Sequence, residues 1–241
     1  MQPTRPLPAV GRPSAFAAPR SGLAAEFDAV RHRTRELAEP LSAEDCQVQS
    51  MPDASPVKWH LAHVTWFFET LVLERFEPGF RPFHPAYRVL FNSYYNAVGA
   101  KHPRPQRGQI TRPSLAEVLA WRAQVDERMG ALLAGKVTPE MASLVLLGLQ
   151  HEQQHQELLL SDVKHLLSCN PLHPVYRATW PLAAVAPAPA SWLPYPGGEV
   201  AIGHAGDGFA FDNELPQHAQ LLAPYALGNR LVTHGEWADF M

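Results

Sequence analysis

"TPEMASLVLLGLQHEQQHQELLLSDVKHLLS" fills residues 138–168, and its punctuation and period point to one long helix. Thr138 is a good N-cap, Pro139 suits the first helical position, and Asn170 with Pro171 supplies the stop. Between them the apolar residues recur at helical spacing. A helix this long and apolar needs partners of the same kind, and the chain supplies three. Residues 114–133 open with "SLAE", in which Ser114 and Glu117 form the capping-box pattern, and Gly135 closes them. Residues 55–77 open with Ser55 as a cap and Pro56 at the first helical position, carry an aromatic-rich face, and end at the turn of Pro78 and Gly79. Residues 23–37 repeat the helical spacing until Pro40. Four such helices predict a mainly α fold built on a four-helix bundle.

The other segments read differently. Residues 80–113 carry many prolines, tyrosines and arginines without a sustained period, so an ordered excursion with at most short helices is expected there. At "PLAAVAPAPASWLPYPGG", residues 181–198, alanine and proline replace the helical pattern, which marks a linker. Short strand-like runs then follow, "EVAIG", "GFAF" and "AQLLAPYALG", separated by Gly, Asp and Asn. The expected organisation is therefore a disordered tail at 1–21, a bundle at 22–180, a Pro/Ala linker at 181–194 and a β-containing unit at 195–241. That last unit is short for an independent domain, so a truncated protein is expected.

Composition narrows the function classes. With 46% hydrophobic residues and a formal charge of -3 in 241 residues, the chain can bury a core and has no dense basic run for nucleic acid. Small molecules are the better-suited partners. Two cysteines without ligand spacing give neither a disulfide framework nor a thiolate metal site, and a reducing cytoplasm is the expected setting. No apolar run approaches the roughly 18 residues of a membrane span.

The chemistry sits in "HEQQHQE", residues 151–157, which fits the H-E-x-x-H pattern of zinc proteases. Proteolysis needs a third ligand downstream, and the positions where one version of the motif puts glycine and histidine hold Leu158 and Ser161. A distal glutamate is also lacking, since none occurs between Glu157 and Glu199. A di-iron bundle would need a second E-x-x-H, and there is no such repeat. What remains is the pair His151 and His155, one turn apart on one helix face and able to share an ion. The helix at 55–77 offers His60 and His63 to complete it. His63 shares a stripe with Trp59, Trp66, Phe67 and Thr70 that should face the interior, whereas His60 lies off that stripe and reads as an outer-shell or surface group. Three neutral nitrogens would leave open positions on a metal, which permits chemistry, but spacing does not choose the metal.

"SPVKWHLAHVTWFFETLVL" (55–73), "LFNSYYNAVGAKHPRPQRGQITRPS" (90–114) and "HEQQHQELLL" (151–160) together resemble the DinB-like bundle of the EgtB-type sulfoxide synthases of ergothioneine biosynthesis, also called hercynine oxygenases. "GGEVAIG" (197–203) and the stretch 208–240 resemble the opening of the α+β formylglycine-generating-enzyme-like, C-type-lectin-like domain that follows it. The resemblance covers nearly everything from residue 22 onward.

It implies iron(II) held by His63, His151 and His155, contact of Gln154 with hercynine, and binding of the thiol substrate's carboxylates by Arg104 and Arg107. The implied reaction joins cysteine or γ-glutamylcysteine to hercynine with O2 to give a sulfoxide. Trp66, Tyr94 and Tyr95 are candidates to face the trimethylammonium group. In that family the catalytic tyrosine comes from later sequence, so no catalytic residue is expected within 1–241, and the chain alone is expected to bind iron with little or no synthase activity. The alternatives are a DinB-like metal-dependent thiol S-transferase, against which the "FAFDNELPQH" segment argues, and a non-enzymatic metal-binding remnant.

Overall fold

The structure is a computed structural model that describes residues 22–93, 95–178 and 188–241. The tail expected at 1–21 and Tyr94 lie outside the described residues. Two compact units result, one ending at Tyr176 and the other spanning Arg177–Met241.

In the first unit, α1 is Leu23–Ala38 and α2 is Val57–Phe67, which runs without a break into a π-helical turn, Phe68–Leu73, and then α3, Glu74–Phe76. After the short α4, Tyr87–Leu90, come α5, Leu115–Leu133, and α6, Pro139–Ser168. The caps behave largely as read. Ser114 and Glu117 close a capping box, and the Thr138 side chain accepts from the Met141 N–H. Ser55 does not: α2 is capped by Pro56 with no side-chain bond, and the Ser55 hydroxyl accepts from Arg107 instead.

The core lies among these helices. Every residue of α2 is buried, so this helix is the central one. Phe27 of α1, Leu61, Trp66 and Phe67 of α2, Trp121 of α5 and Leu149 of α6 are fully enclosed, each contributing on the order of 1.5–3 kcal/mol by burial. Close packing of α2 on α6 depends on Gly148, where an added Cβ would meet ring carbons of Phe67 and Phe68, both at 2.7 Å. Gly148→Ala gains about 1 kcal/mol in helix propensity. Displacing two enclosed rings costs about 1–3 kcal/mol. A net loss of stability is therefore expected in urea denaturation, and a variant more stable than wild type would refute this account.

Among the described residues of the excursion at 80–113 the only regular elements are α4 and 3-10 turns at Asn96–Val98 and Arg104–Gln109. Buried polar anchors hold it. Glu69 accepts from the Phe83 N–H (2.9 Å) and Trp121 Nε1 (3.1 Å), and Lys58 Nζ donates to the Ile110 carbonyl (2.7 Å). Gln49 accepts from the Gly108 N–H at 2.8 Å, where a Cβ would strike Gln49 Cβ, so a residue without a side chain lets the loop lie flat. Arg104 and Arg107 ride on this anchored turn.

In the second unit, β1, Trp192–Tyr195, pairs antiparallel with β4, Tyr225–Gly228, and β2, Gly198–Ile202, with β3, His218–Leu222. A short helix, α7, spans His234–Phe240. Of the linker expected at 181–194, residues 181–187 lie outside the described residues, and β1 already starts at Trp192. Pro194 is tolerated there because β1 has a single partner strand, and Tyr195 stacks on Tyr225 at 4.9 Å. Among the described residues no helix is long and apolar enough to cross a membrane.

Candidate metal centre

Where α2 faces α6, one ring nitrogen each from His63, His151 and His155 lie within 4.8 Å of one another. The i, i+4 spacing on α6 delivers two of them, with ring centroids 4.6 Å apart. His63 is clamped between Trp59 and Trp66, nearly parallel to both, at 4.5 and 5.5 Å. Its Nδ1 donates to the Phe91 carbonyl at 2.6 Å. A carbonyl only accepts, so a neutral His63 keeps its lone pair on Nε2. His151 Nδ1 is buried without a hydrogen-bond partner. An orphaned buried nitrogen is a costly feature in a finished core, and a cation would satisfy it. The donor set therefore fits a divalent transition metal.

Glu152 lies between the two α6 histidines in sequence but not in space. Its carboxylate is fully buried between α1 and α5, accepting from Arg31 Nη1 (2.9 Å), Arg122 Nη2 (2.5 Å) and Thr34 Oγ1 (2.6 Å). Burial alone would raise its pKa, but Arg122 and Arg31 hold it down at about 2. A carboxylate so neutralised cannot serve as the general base of a zinc protease. This agrees with the missing third ligand.

A cavity of about 280 Å³ opens over the histidines. His63, His151, His155, Gln154, Arg104 and Arg107 all line it, together with Trp59, Tyr95, Ser55, Ser93, His60 and Asp162. The two arginines differ in character. Arg107 is buried, with its guanidinium 3.4 Å from the centroid of the Trp59 ring and bonds to Ser55 Oγ and Ser93 Oγ, both 2.9 Å. Arg104 is exposed and donates to the Asp53 carbonyl, 3.1 Å from Nε. Trp66 is not a lining residue: it is fully buried behind His63, and its Nε1 donates to the Arg88 carbonyl.

Residues 26–159 match the sequence model of the DinB superfamily, more than half of the chain. The chain belongs to the DinB superfamily. Beyond this DinB bundle, it is similar to the hercynine oxygenases of Mycobacterium tuberculosis (30% identical over 91% of this chain and 50% of that protein) and Mycolicibacterium thermoresistibile (32%, 92% and 48%). That of Mycolicibacterium smegmatis is 28% identical over 92% and 50%. The chain spans about half the length of these curated relatives.

Sequence reasoning left His60 undecided between the surface and an outer shell. The DinB bundle buries it, because α2 is covered on all sides. It missed Asp162, Ser55 and Ser93, polar residues whose place in the cavity comes from tertiary contacts. Burial pushes His151 down to about 4, and lowers His63 and His155 as well. The sign for the metal-free DinB bundle follows. An unfolded chain takes up protons on these rings near pH 6.5 while the folded one does not. The folded pKa values are depressed, so stability is full above about pH 6.5 and is lost as pH falls toward about 4. The urea midpoint of chelator-treated protein should drop between pH 7.5 and 5, and a flat profile would contradict the burial argument.

Proposed function

We propose that this DinB bundle is the metal-binding half of a hercynine oxygenase, acting in ergothioneine biosynthesis in the cytoplasm. The observation that carries the reading is the convergence on one cavity of His63, His151 and His155 with two arginines and Gln154. The similarity to three hercynine oxygenases along almost the whole chain supports it. The substrates on this reading are hercynine, O2 and cysteine or γ-glutamylcysteine, and the metal is iron(II).

Iron(II) on three neutral imidazoles would supply open coordination positions and the redox capacity for joining sulfur to the hercynine ring. The chain's own residues do the positioning. Arg107, rigid on Trp59 and fixed by two serine hydroxyls, presents a preorganised positive charge to a substrate carboxylate. Arg104, exposed and bonded to the Asp53 carbonyl, gives a second such charge. Gln154, one residue before His155 on α6, offers amide donor and acceptor groups to hercynine at the cavity edge. Tyr95 adds an aromatic ring to the cavity wall, which suits a trimethylammonium group.

The test is anaerobic titration of hercynine into iron(II)-loaded protein, followed by proton NMR of the trimethylammonium signal. Saturable broadening that disappears in His63→Ala and weakens in Gln154→Ala is expected. No broadening by iron-loaded wild type would remove the hercynine reading and leave a metal-binding bundle of other use.

A further inference from the structure

Along the cavity wall a chain of three side chains leads away from the histidine triad. His155 Nδ1 lies 2.9 Å from His60 Nδ1, and His60 Nε2 lies 3.0 Å from Asp162 Oδ2. The same Asp162 oxygen accepts from the Ser55 N–H at 2.9 Å, and Ser55 Oγ accepts from Arg107. We propose that Asp162 and His60 act as positioning residues that fix His155 as the Nδ1–H tautomer, leaving Nε2 as its metal-donor nitrogen. This rests on the reading of the triad as a metal site.

The argument is one of donors and acceptors. An ionised carboxylate only accepts, so the proton of His60 sits on Nε2, and a neutral imidazole has no second proton. His60 is only 3% exposed, an enclosed position that disfavours a second, charging proton. Its Nδ1 therefore carries a lone pair. Two lone pairs, or two N–H groups, would repel at 2.9 Å, so the partner at His155 Nδ1 is an N–H. His155 has then one bare nitrogen, Nε2. His63 reaches the same state by a separate route, its Nδ1 donating to the Phe91 carbonyl. Two of the three donors are thus preset before metal arrives, and the ring orientation of His155 is fixed with its tautomer. Because Ser55 joins Asp162 to Arg107, the same chain ties the metal ligand to the residue proposed to hold the substrate carboxylate.

Two measurements on the full chain test this, with cobalt(II) as the metal probe. Long-range proton–nitrogen NMR of metal-free wild type should show His155 protonated at Nδ1 and His60 at Nε2, a readout that needs no variant. Spectroscopic cobalt(II) titration of His60→Phe should show affinity weakened about 10–100-fold, the range for loss of an outer-shell partner. Asp162→Asn, which keeps an acceptor for His60, should lose less. His155 protonated at Nε2, or a folded His60→Phe that binds cobalt(II) as tightly as wild type, would overturn the relay while leaving the metal site standing. A wild type that binds no cobalt(II) would overturn the metal site and the relay together.

Discussion

Glu152→Ala is expected to destabilise the bundle by about 3–5 kcal/mol, the range for removing one partner of a buried ion pair. The glutamate is completely enclosed, and the side chains of Arg31 and Arg122 are 3% and 1% exposed. Removing the carboxylate strands two guanidinium groups where water cannot reach them. Arg31 keeps Asp126 at 2.6 Å, but among the described residues Arg122 keeps only the Arg31 carbonyl and a long contact to Thr65. Thr34 on α1, and Gln156 on α6 that donates to its hydroxyl, lose their organising centre as well. Glu152→Gln preserves an acceptor for Thr34 and should fall between wild type and Glu152→Ala. Urea denaturation of the metal-free proteins measures this directly, and a loss below about 1 kcal/mol for the alanine variant would show that the pair is replaceable, as some buried pairs are.

The second large effect is on metal. His151→Ala and His155→Ala should each weaken divalent-metal binding by more than about 100-fold, beyond what loss of an outer-shell partner produces. The check is thermal melting with and without metal. A ligand that binds only the folded state at about 100 times its dissociation constant adds about 2.7 kcal/mol, so wild type should melt higher with metal and the variants should not. The two substitutions differ in the metal-free protein. His151 Nδ1 is buried without a partner, so removing that nitrogen breaks no hydrogen bond, whereas removal of His155 breaks the contact to His60. Metal-dependent melting that persists in both variants would place the metal elsewhere in the chain.

How much of this was legible in the sequence can be judged residue by residue. The long helices were, because each announces itself by apolar spacing and by residues that cap or break it, as Ser114, Thr138 and Pro139 do. The π turn at Phe68–Leu73 was not, since a single turn of that kind leaves the apolar period almost unchanged. Ser55 misled: its place before Pro56 has the form of a cap, but Arg107 and Asp162 claim its polar groups from loops and helices far along the chain.

The same division runs through the site. His151 and His155 were paired by spacing alone, because one turn of helix puts both on one face whatever the surroundings. By itself the sequence determined a mainly α chain and that histidine pair, and offered two histidines on α2 as candidates for a third donor. The tertiary structure decided the rest. It set His63 between two tryptophans and beside the α6 pair, and turned Glu152 into a buried ion-pair network. It also buried His60 against Asp162, more than one hundred positions away in the chain. The reason is physical: helical period is a property of neighbours in sequence, whereas hydrogen-bond partners, burial and the tautomers they impose come from residues that only folding brings together.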